Sequence, residues 1–313
     1  MLEDLPPAPK PILMDDLARL PTEARHPATE NLDGLTTLDL VQTLHDADRE
    51  AVAAVDRELQ SIALAIDSIV ARLEKGGKLF YLGAGTSGRL GVLDASECPP
   101  TYNTPPEMVQ GLIAGGDAAL RRSIERAEDD ETQGRNDLKE HHFSAKDVLV
   151  GIAASGRTPY VLGGMRYARE LGALSIGLSC VPGSPLARTS DIAITPATGP
   201  EPVTGSTRMK AGTATKLVLN MLSTGTMVRL GYVFGNLMVN VQPTNEKLRD
   251  RATRIVATVT GLNYVDAAAL LLSAGSVKTA IVMAKLGVNR SDAELRLAES
   301  LGRLRPALEN QAK

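Results

Sequence analysis

Short apolar runs alternate with helix-length amphipathic segments through the middle of this 313-residue chain. Five of these runs predict strands, near residues 79–82, 108–113, 148–153, 174–179 and 191–195. A strand that is apolar throughout is buried on both faces, which is typical of a parallel sheet with helices on either side. The pattern therefore predicts an α/β fold in which helices sandwich a doubly wound, parallel sheet of five strands.

The rest of the chain flanks this predicted sheet. Residues 1–35 are polar and rich in proline and predict an arm with little structure of its own. The apolar positions that follow are spaced as on one face of a helix, and Gly76-Gly77 is expected to end this helix. Beyond residue 244, Ala-, Leu- and Arg-rich segments predict helices over 246–259, 264–274 and 291–304. The expected units are an N-terminal arm and helix (1–55), a sheet domain (56–243) and a small C-terminal all-helical subdomain (244–313).

Two loops that follow predicted strands share the residues Ser-Gly-Arg. They are Gly83-Ala84-Gly85-Thr86-Ser87-Gly88-Arg89 and Ala153-Ala154-Ser155-Gly156-Arg157-Thr158. Such a turn before a helix presents free N–H groups and the positive end of the helix dipole, which favours an anion, most naturally phosphate. Ordinary βα turns are also rich in Gly and Ser, but two matching loops favour phosphate binding. The candidate contacts are Thr86, Ser87, Gly88, Ser155, Gly156 and Thr158.

Nucleotides are the less favoured ligands for these loops. Gly83-x-Gly85-x-x-Gly88 matches the dinucleotide fingerprint, which requires an acidic residue at the end of the second strand. Asp117 occupies that region, but its position is that of a helix N-cap. Arg89-Leu90 stands where a Walker loop requires Lys-Ser/Thr. A compact sugar phosphate fits the loops better.

Composition narrows the classes of function further. The net charge of −3 and the absence of Trp give no electrostatic footprint for nucleic acid. Cys98 and Cys180 lack metal-ligand spacing and indicate a reducing compartment, so we expect a cytoplasmic protein without a metal site. The four histidines form no ligand pattern and are expected at the surface. The N-terminus lacks a signal-peptide pattern, and polar residues interrupt the apolar stretch 217–241, so no membrane contact is expected.

A third polar segment, Gly199–Thr213, makes the comparison with known families specific. It resembles the signature shared by N-acetylmuramic acid 6-phosphate etherases and the glucokinase regulatory protein. The segments that resemble the etherase family closely are Gly83–Gly91, Leu93–Tyr102, Gly151–Tyr160 and Gly235–Val239. The resemblance extends over nearly the whole chain except its proline-rich start.

The resemblance implies a sugar isomerase (SIS) fold and a homodimer with shared active sites. It also implies removal of the D-lactyl ether of N-acetylmuramic acid 6-phosphate, which gives N-acetylglucosamine 6-phosphate and D-lactate. The family's two catalytic glutamates map onto Glu97 and Glu128. No cofactor is expected.

The chemistry of the substrate agrees with two proton-transfer groups. An alkyl ether is a poor target for direct hydrolysis, but in the open-chain sugar the C2 proton is α to the C1 aldehyde and the ether oxygen is on C3. A base can remove that proton, the enolate then expels lactate, and water adds to the unsaturated aldehyde. This route requires an acid and a base and no redox cofactor.

The local sequence supports a catalytic role more strongly for Glu97 than for Glu128. Pro99 predicts a helix end at Cys98, which places Glu97 at the negative end of the dipole and favours its protonated form. That suits the acid that protonates departing lactate. Glu128 lies in a charge run that is typical of a solvated helix end, on the flank of a helix expected from Asp117 through residue 127. Its assignment as the C2 base comes from the resemblance alone.

The third polar segment supplies candidate substrate or interface contacts. They are Glu201, Ser206, Arg208 and Lys210, although Ser206 or Thr207 could equally cap a helix. Glu201 is a candidate for ring opening by analogy with other SIS enzymes. The alternatives are a sugar-phosphate-sensing regulatory protein and a phosphosugar isomerase. The Glu97 and Glu128 pair favours the etherase over a sensor, and the Ser-Glu-Cys-Pro-Pro run at 96–100 counts against an isomerase.

Overall fold

A five-stranded parallel sheet organises the first two thirds of the molecule. The computed structural model describes residues 20–124, 126–242 and 245–309. The strands are β1 (Leu79–Gly83), β2 (Val109–Ile113), β3 (Val148–Ile152), β4 (Leu174–Leu178) and β5 (Ile192–Ile194), in the order β2-β1-β3-β4-β5. All neighbouring pairs are parallel. The predicted fold class is confirmed, and each strand lies within about a residue of its predicted position.

Helices connect the strands and cover both faces of the sheet. They are α1 (Thr37–Asp56), α2 (Leu59–Leu73), α3 (Gly85–Tyr102), α4 (Ala118–Arg121), α5 (Glu131–Glu140), α6 (Pro159–Leu171), α7 (Pro185–Thr189) and α8 (Lys210–Arg229). Successive residues of a strand point to opposite faces. Tyr81 and Val150 therefore pack with α2, α3 and α8, whereas Phe80 and Leu149 pack with α5 and α6.

The strand order places a switch point between β1 and β3. From β1 the chain crosses to β2 on one side, and β3 then pairs with the other side of β1. Gly83 lies opposite Ile113 and Ile152, so these three strands end at the same level. In open parallel sheets, ligands bind in the crevice outside the carboxyl ends of the strands at such a point.

The C-terminal region is helical and has a second apolar core. Its helices are α9 (Glu246–Thr260), α10 (Tyr264–Ala274), α11 (Val277–Leu286), α12 (Arg290–Glu299) and α13 (Leu304–Glu309). The sequence interpretation missed α11, and its last predicted helix, 291–304, is wrong beyond Glu299. The chain turns there because Leu301 and Gly302 adopt left-handed conformations, with φ of 54° and 73°.

Within the described ranges, no single helix is long and apolar enough to cross a membrane. By length and composition alone, α9 and α10 would qualify together as a bent pair, with an angle of 107° between them.

The N-terminal segment is better ordered than its composition predicts. Residues 1–19, most of the predicted arm, lie outside the described residues. Residues 20–35 form two short 3₁₀ turns, and four of their side chains are buried: Leu20, Thr22, His26 and Thr29. The expectation of a surface position is therefore wrong for His26, whose Nδ1 accepts a hydrogen bond from the Ala28 N–H.

Candidate active site

The first Ser-Gly-Arg loop forms the junction between β1 and α3. Thr86 and Ser87 lie in the first turn of α3, and the N-cap residue Ala84 makes no side-chain cap. The backbone N–H groups of this turn therefore have no partner within the helix. A Cβ atom at Gly88 would lie 2.7 Å from the Gly83 carbonyl oxygen, so glycine lets α3 start directly against the strand. The turn thus presents free donors at the carboxyl end of β1.

The second loop has the same character at the end of β3. Gly156 has a φ of 66°, and an added Cβ atom would collide with the Ser184 side chain. Ser155 is half-buried, and its Oγ accepts a hydrogen bond from the Arg157 N–H at 3.3 Å. Thr158 is the N-cap of α6 but makes no side-chain cap bond. Because β1 pairs with β3, the two loops are neighbours across the switch point.

Arg157 contributes an unsatisfied donor to this region. Its Nε atom is buried and has no hydrogen-bond partner among the residues that the structure describes. A buried polar group without a partner is costly, and an anion placed beside it would remove that cost. Both loops therefore have the donors that a phosphate group requires.

The start of α8 packs beside the first loop. A Cβ atom added to Gly212 would lie 3.7 Å from Cγ2 of Thr86. Glu201 caps this helix, since its two carboxylate oxygens accept hydrogen bonds from the N–H groups of Lys210 at 2.8 Å and Ala211 at 2.9 Å. Burial raises the pKa of Glu201, against the effect of these backbone bonds and of the Lys210 charge.

Two of the four candidate contacts in the third polar segment are internal. Glu201 and Lys210 are fully buried and bonded inside the protein, so neither side chain reaches the surface of this chain. The residue at the N-cap of α8 is Met209, so the expectation that Ser206 or Thr207 caps the helix is wrong. Ser206 is half-buried and Arg208 is exposed on the turn before the helix.

Glu97 is not at a helix end, which corrects the expectation drawn from Pro99. Helix α3 continues through Pro99 and Pro100 to Tyr102, where Asn103 ends it with a φ of 54° and an N–H bond to the Pro99 carbonyl. The prolines remove only two helical hydrogen bonds, and their φ suits a helix. Tyr102 is buried and holds the last turn in the core. The dipole argument for a protonated Glu97 therefore does not apply.

Glu97 is exposed and lines a small cavity between α3 and α8. The cavity of about 210 Å³ is also lined by Leu90, Leu93, Asp94, Lys216, Leu219 and Asn220. Asp94 is buried and accepts hydrogen bonds from the Tyr81 hydroxyl, the Asn220 amide and the Ser223 hydroxyl, at 2.9–3.0 Å. Burial raises the pKa of Asp94, against these bonds.

The sequence interpretation missed Asp94 and Lys216. Asp94 and Glu97 are three residues apart and therefore lie on one helix face. This spacing could have indicated from the sequence that Asp94 is a neighbour of Glu97. Lys216 lies 119 residues after Glu97, and only the packing of α8 against α3 brings it near.

Glu128 lies in a short 3₁₀ turn, Ala127–Asp129, and is exposed. The predicted helix from Asp117 through residue 127 is wrong, because α4 ends at Arg121 and the chain turns again at Arg126, with a φ of 63°. The turn directly precedes α5, which runs back from the carboxyl edge of the sheet to the start of β3. Glu128 is therefore at the same edge as the two loops.

Glu97 lies towards the opposite edge. It follows Ser87 by ten residues within one helix, so their Cα atoms are about 15 Å apart along the axis at 1.5 Å per residue. A single chain thus places Glu128, but not Glu97, on the side of the Ser-Gly-Arg loops.

Comparison with known proteins gives matches over the sheet region and over nearly the full length. The model of the glucokinase regulatory protein N-terminal SIS domain matches residues 61–169, and that of the SIS domain matches residues 137–225. N-acetylmuramic acid 6-phosphate etherase 1 of Vibrio cholerae is 52% identical over 95% of this chain and 99% of that protein. The etherase of Serratia proteamaculans is 53% identical, and that of Escherichia coli O139:H28 is 52% identical, each over 94% of this chain and 99% of its own.

Proposed function

The chain belongs to the family of N-acetylmuramic acid 6-phosphate etherases, and from that premise we propose that it cleaves the D-lactyl ether of this sugar phosphate. The products are N-acetylglucosamine 6-phosphate and D-lactate, and the enzyme is a carbon–oxygen lyase. The observation that carries the proposal is identity of 52% across nearly the whole of both chains. The regulatory alternative has no support among these relatives, which are all named as etherases.

The two Ser-Gly-Arg loops are the proposed phosphate site. Free N–H groups at the start of α3, the hydroxyls of Thr86, Ser87, Ser155 and Thr158, and the unpaired Nε of Arg157 would hold the 6-phosphate. Because the phosphate is remote from the reacting carbons, its binding energy orients C2 and C3 without taking part in the chemistry.

The reaction then proceeds by elimination and addition. Glu128 is assigned as the base that takes the C2 proton of the open-chain aldehyde, leaving an enolate. The enolate electrons form the C2–C3 double bond as the C3–O bond breaks, and Glu97 gives its proton to the departing lactate oxygen. Glu97, now ionised, takes a proton from water as the water oxygen bonds to C3, and C2 is reprotonated.

We infer that a partner subunit supplies Glu97. In an open-chain six-carbon sugar phosphate, phosphorus is only about 7 Å from C2. The phosphate must sit in front of the first turn of α3, on the side away from Glu97 of the same chain. That Glu97 is about 15 Å beyond Ser87. A homodimer in which α3 of one subunit faces the loops of the other would complete two equivalent sites. Phosphorylated sugars are compounds of the cell interior, so we place the enzyme in the cytoplasm.

The direct test is incubation of the purified protein with N-acetylmuramic acid 6-phosphate in ¹⁸O-labelled water. We expect D-lactate in an enzymatic assay and, by mass spectrometry, the label on C3 of the sugar product. No lactate would refute the function. Lactate that carries the label would mean that the lactyl C–O bond was broken, and the elimination route would then have to be abandoned.

A further inference from the structure

Lys210 is a fully buried lysine that holds several segments of the chain together. Its Nζ forms an ion pair with Oε2 of Glu50 on α1 and donates a hydrogen bond to the Pro200 carbonyl at 3.0 Å. Burial would raise the pKa of Glu50, but the hydrogen bond and charge of Lys210, with a smaller contribution from His26, override it and hold that pKa below its usual value. A lysine is almost never fully buried unless it is paired.

The backbone of the same residue is equally constrained. Its N–H donates to Glu201, so main chain and side chain together tie the start of α8 to α1 and to the turn that begins at Pro200. The Thr29 hydroxyl donates to the Pro202 carbonyl at 2.9 Å, which adds the N-terminal segment to this cluster.

The cluster lies next to the first phosphate loop. Gly212, two residues after Lys210, faces Thr86, and the hydroxyl of Thr213 donates to Asp48 of α1 at 3.3 Å. Because a Cβ atom at Gly212 would be in van der Waals contact with Cγ2 of Thr86, a shift of the first turn of α8 towards the loop would change the packing of the Thr86 side chain.

We propose that Lys210 is a positioning residue that, with Glu50 and the Pro200 carbonyl, holds the first turn of α8 against Thr86 and so fixes the geometry of the phosphate loop. It touches no substrate itself. The inference rests on the proposed function only in taking a 6-phosphorylated amino sugar as the ligand.

The experiment compares ligand affinity with stability in three variants. N-acetylglucosamine 6-phosphate is titrated by calorimetry into wild type, Lys210→Met, and the double variant Lys210→Met/Glu50→Leu, and each is unfolded in urea. Lys285→Met, an exposed lysine on α11, is the matched control. We expect Lys210→Met to weaken ligand binding about tenfold or more while the protein remains folded at the assay temperature.

The double variant separates positioning from simple stabilisation. Replacing both residues by apolar ones also removes the Glu50 carboxylate, which is about half exposed and lies 3.6 Å from Nε2 of His26. It does not restore the bond to Pro200, so we expect affinity to stay as low as in Lys210→Met, whatever the stability of the double variant. Full recovery of affinity together with stability would overturn the proposal, as would unchanged affinity in a folded Lys210→Met.

The outcome is independent of the etherase assignment. If wild type releases lactate and the Lys210 variants bind the sugar phosphate normally, the function stands and the positioning role is refuted. If wild type binds the sugar phosphate without releasing lactate and Lys210→Met loses that binding, the positioning role stands and the function is refuted.

Discussion

At the scale of single residues, the serine hydroxyls of the two loops give the most direct test of the phosphate site. Replacing Ser87 or Ser155 by Ala removes one hydrogen bond to a charged oxygen, which we expect to cost about 1.5–3 kcal/mol of binding free energy. Calorimetric titration with N-acetylglucosamine 6-phosphate measures the change. Ser273→Ala, an exposed serine on α10, is the control. Unchanged affinity in both loop variants would refute the phosphate assignment.

The two glutamates are separated by proton exchange. If Glu128 removes the C2 proton, Glu128→Gln should abolish both lactate release and solvent deuterium exchange at C2. If Glu97 protonates the leaving group, Glu97→Gln should block lactate release while exchange at C2 continues. NMR of the sugar in D₂O and a lactate assay measure the two steps. The opposite pattern would exchange the roles, and wild-type rates in both variants would exclude both residues.

The lowered pKa of Lys278 predicts that the free energy of unfolding depends on pH. Lys278 lines a cavity of about 430 Å³ beside Tyr232, and burial lowers its pKa from 10.5 to about 8. Between these pH values the unfolded chain holds more protons at this site than the folded chain, so the contribution of Lys278 to the free energy of unfolding rises with pH. Below about pH 8 the ammonium group of Lys278 is charged and partly desolvated in the folded chain, so this gain in stability is absent.

The difference in unfolding free energy between wild type and Lys278→Met measures this contribution. In urea titrations, the free energy of unfolding of wild type should increase relative to that of Lys278→Met from pH 7.5 to pH 9.5. Relative to Lys285→Met it should show no such trend. A pH-independent difference would argue against the lowered pKa.

At the scale of secondary-structure elements, the pattern of apolar and polar residues was sufficient to predict most of the sheet. The five strands were recognisable because buried parallel strands are continuous apolar runs. The errors occurred where tertiary contacts overrode local preference: Tyr102 in the core carries α3 through Pro99 and Pro100, and α4 ends at Arg121 where a longer helix was expected. The positions of the two Ser-Gly-Arg loops after β1 and β3 were predictable from their residues, but the internal position of Lys210 depends on Glu50 of α1, which is 160 residues away in sequence.

Helices α5 and α6 approach each other closely at Gly134, which allows a test of their packing. A Cβ atom at Gly134 would collide with the Tyr160 carbonyl oxygen, which belongs to backbone and cannot move aside. Although Ala favours helices, we expect Gly134→Ala to lower the free energy of unfolding by about 1–3 kcal/mol. Urea titration measures the change, with Gly34→Ala, which has open space around it, as control. Equal stability of the two variants would mean that the helices separate without cost.

At the scale of the whole molecule, the proposed sharing of active sites between two subunits predicts complementation between two defective chains. Glu97→Gln and Ser87→Ala variants, unfolded together and refolded, should form mixed dimers in which one site combines an intact loop with an intact Glu97. With random pairing, about a quarter of all sites would be wild type. Lactate release at low substrate concentration should therefore recover to about that fraction. Activity no higher than the average of the separate variants would place all groups of a site in one chain.

The separation of Glu97 from its own loop along α3 also affects how variants of this protein should be interpreted. If a partner subunit supplies Glu97, as proposed, a chain that cannot pair carries every required side chain but has no complete active site, so turnover per chain falls on dilution. A surface substitution that weakens pairing would then appear in a routine assay as a loss of kcat, although no reacting group had changed. Only the recovery of activity at higher protein concentration would distinguish such a variant from one with a damaged reaction centre.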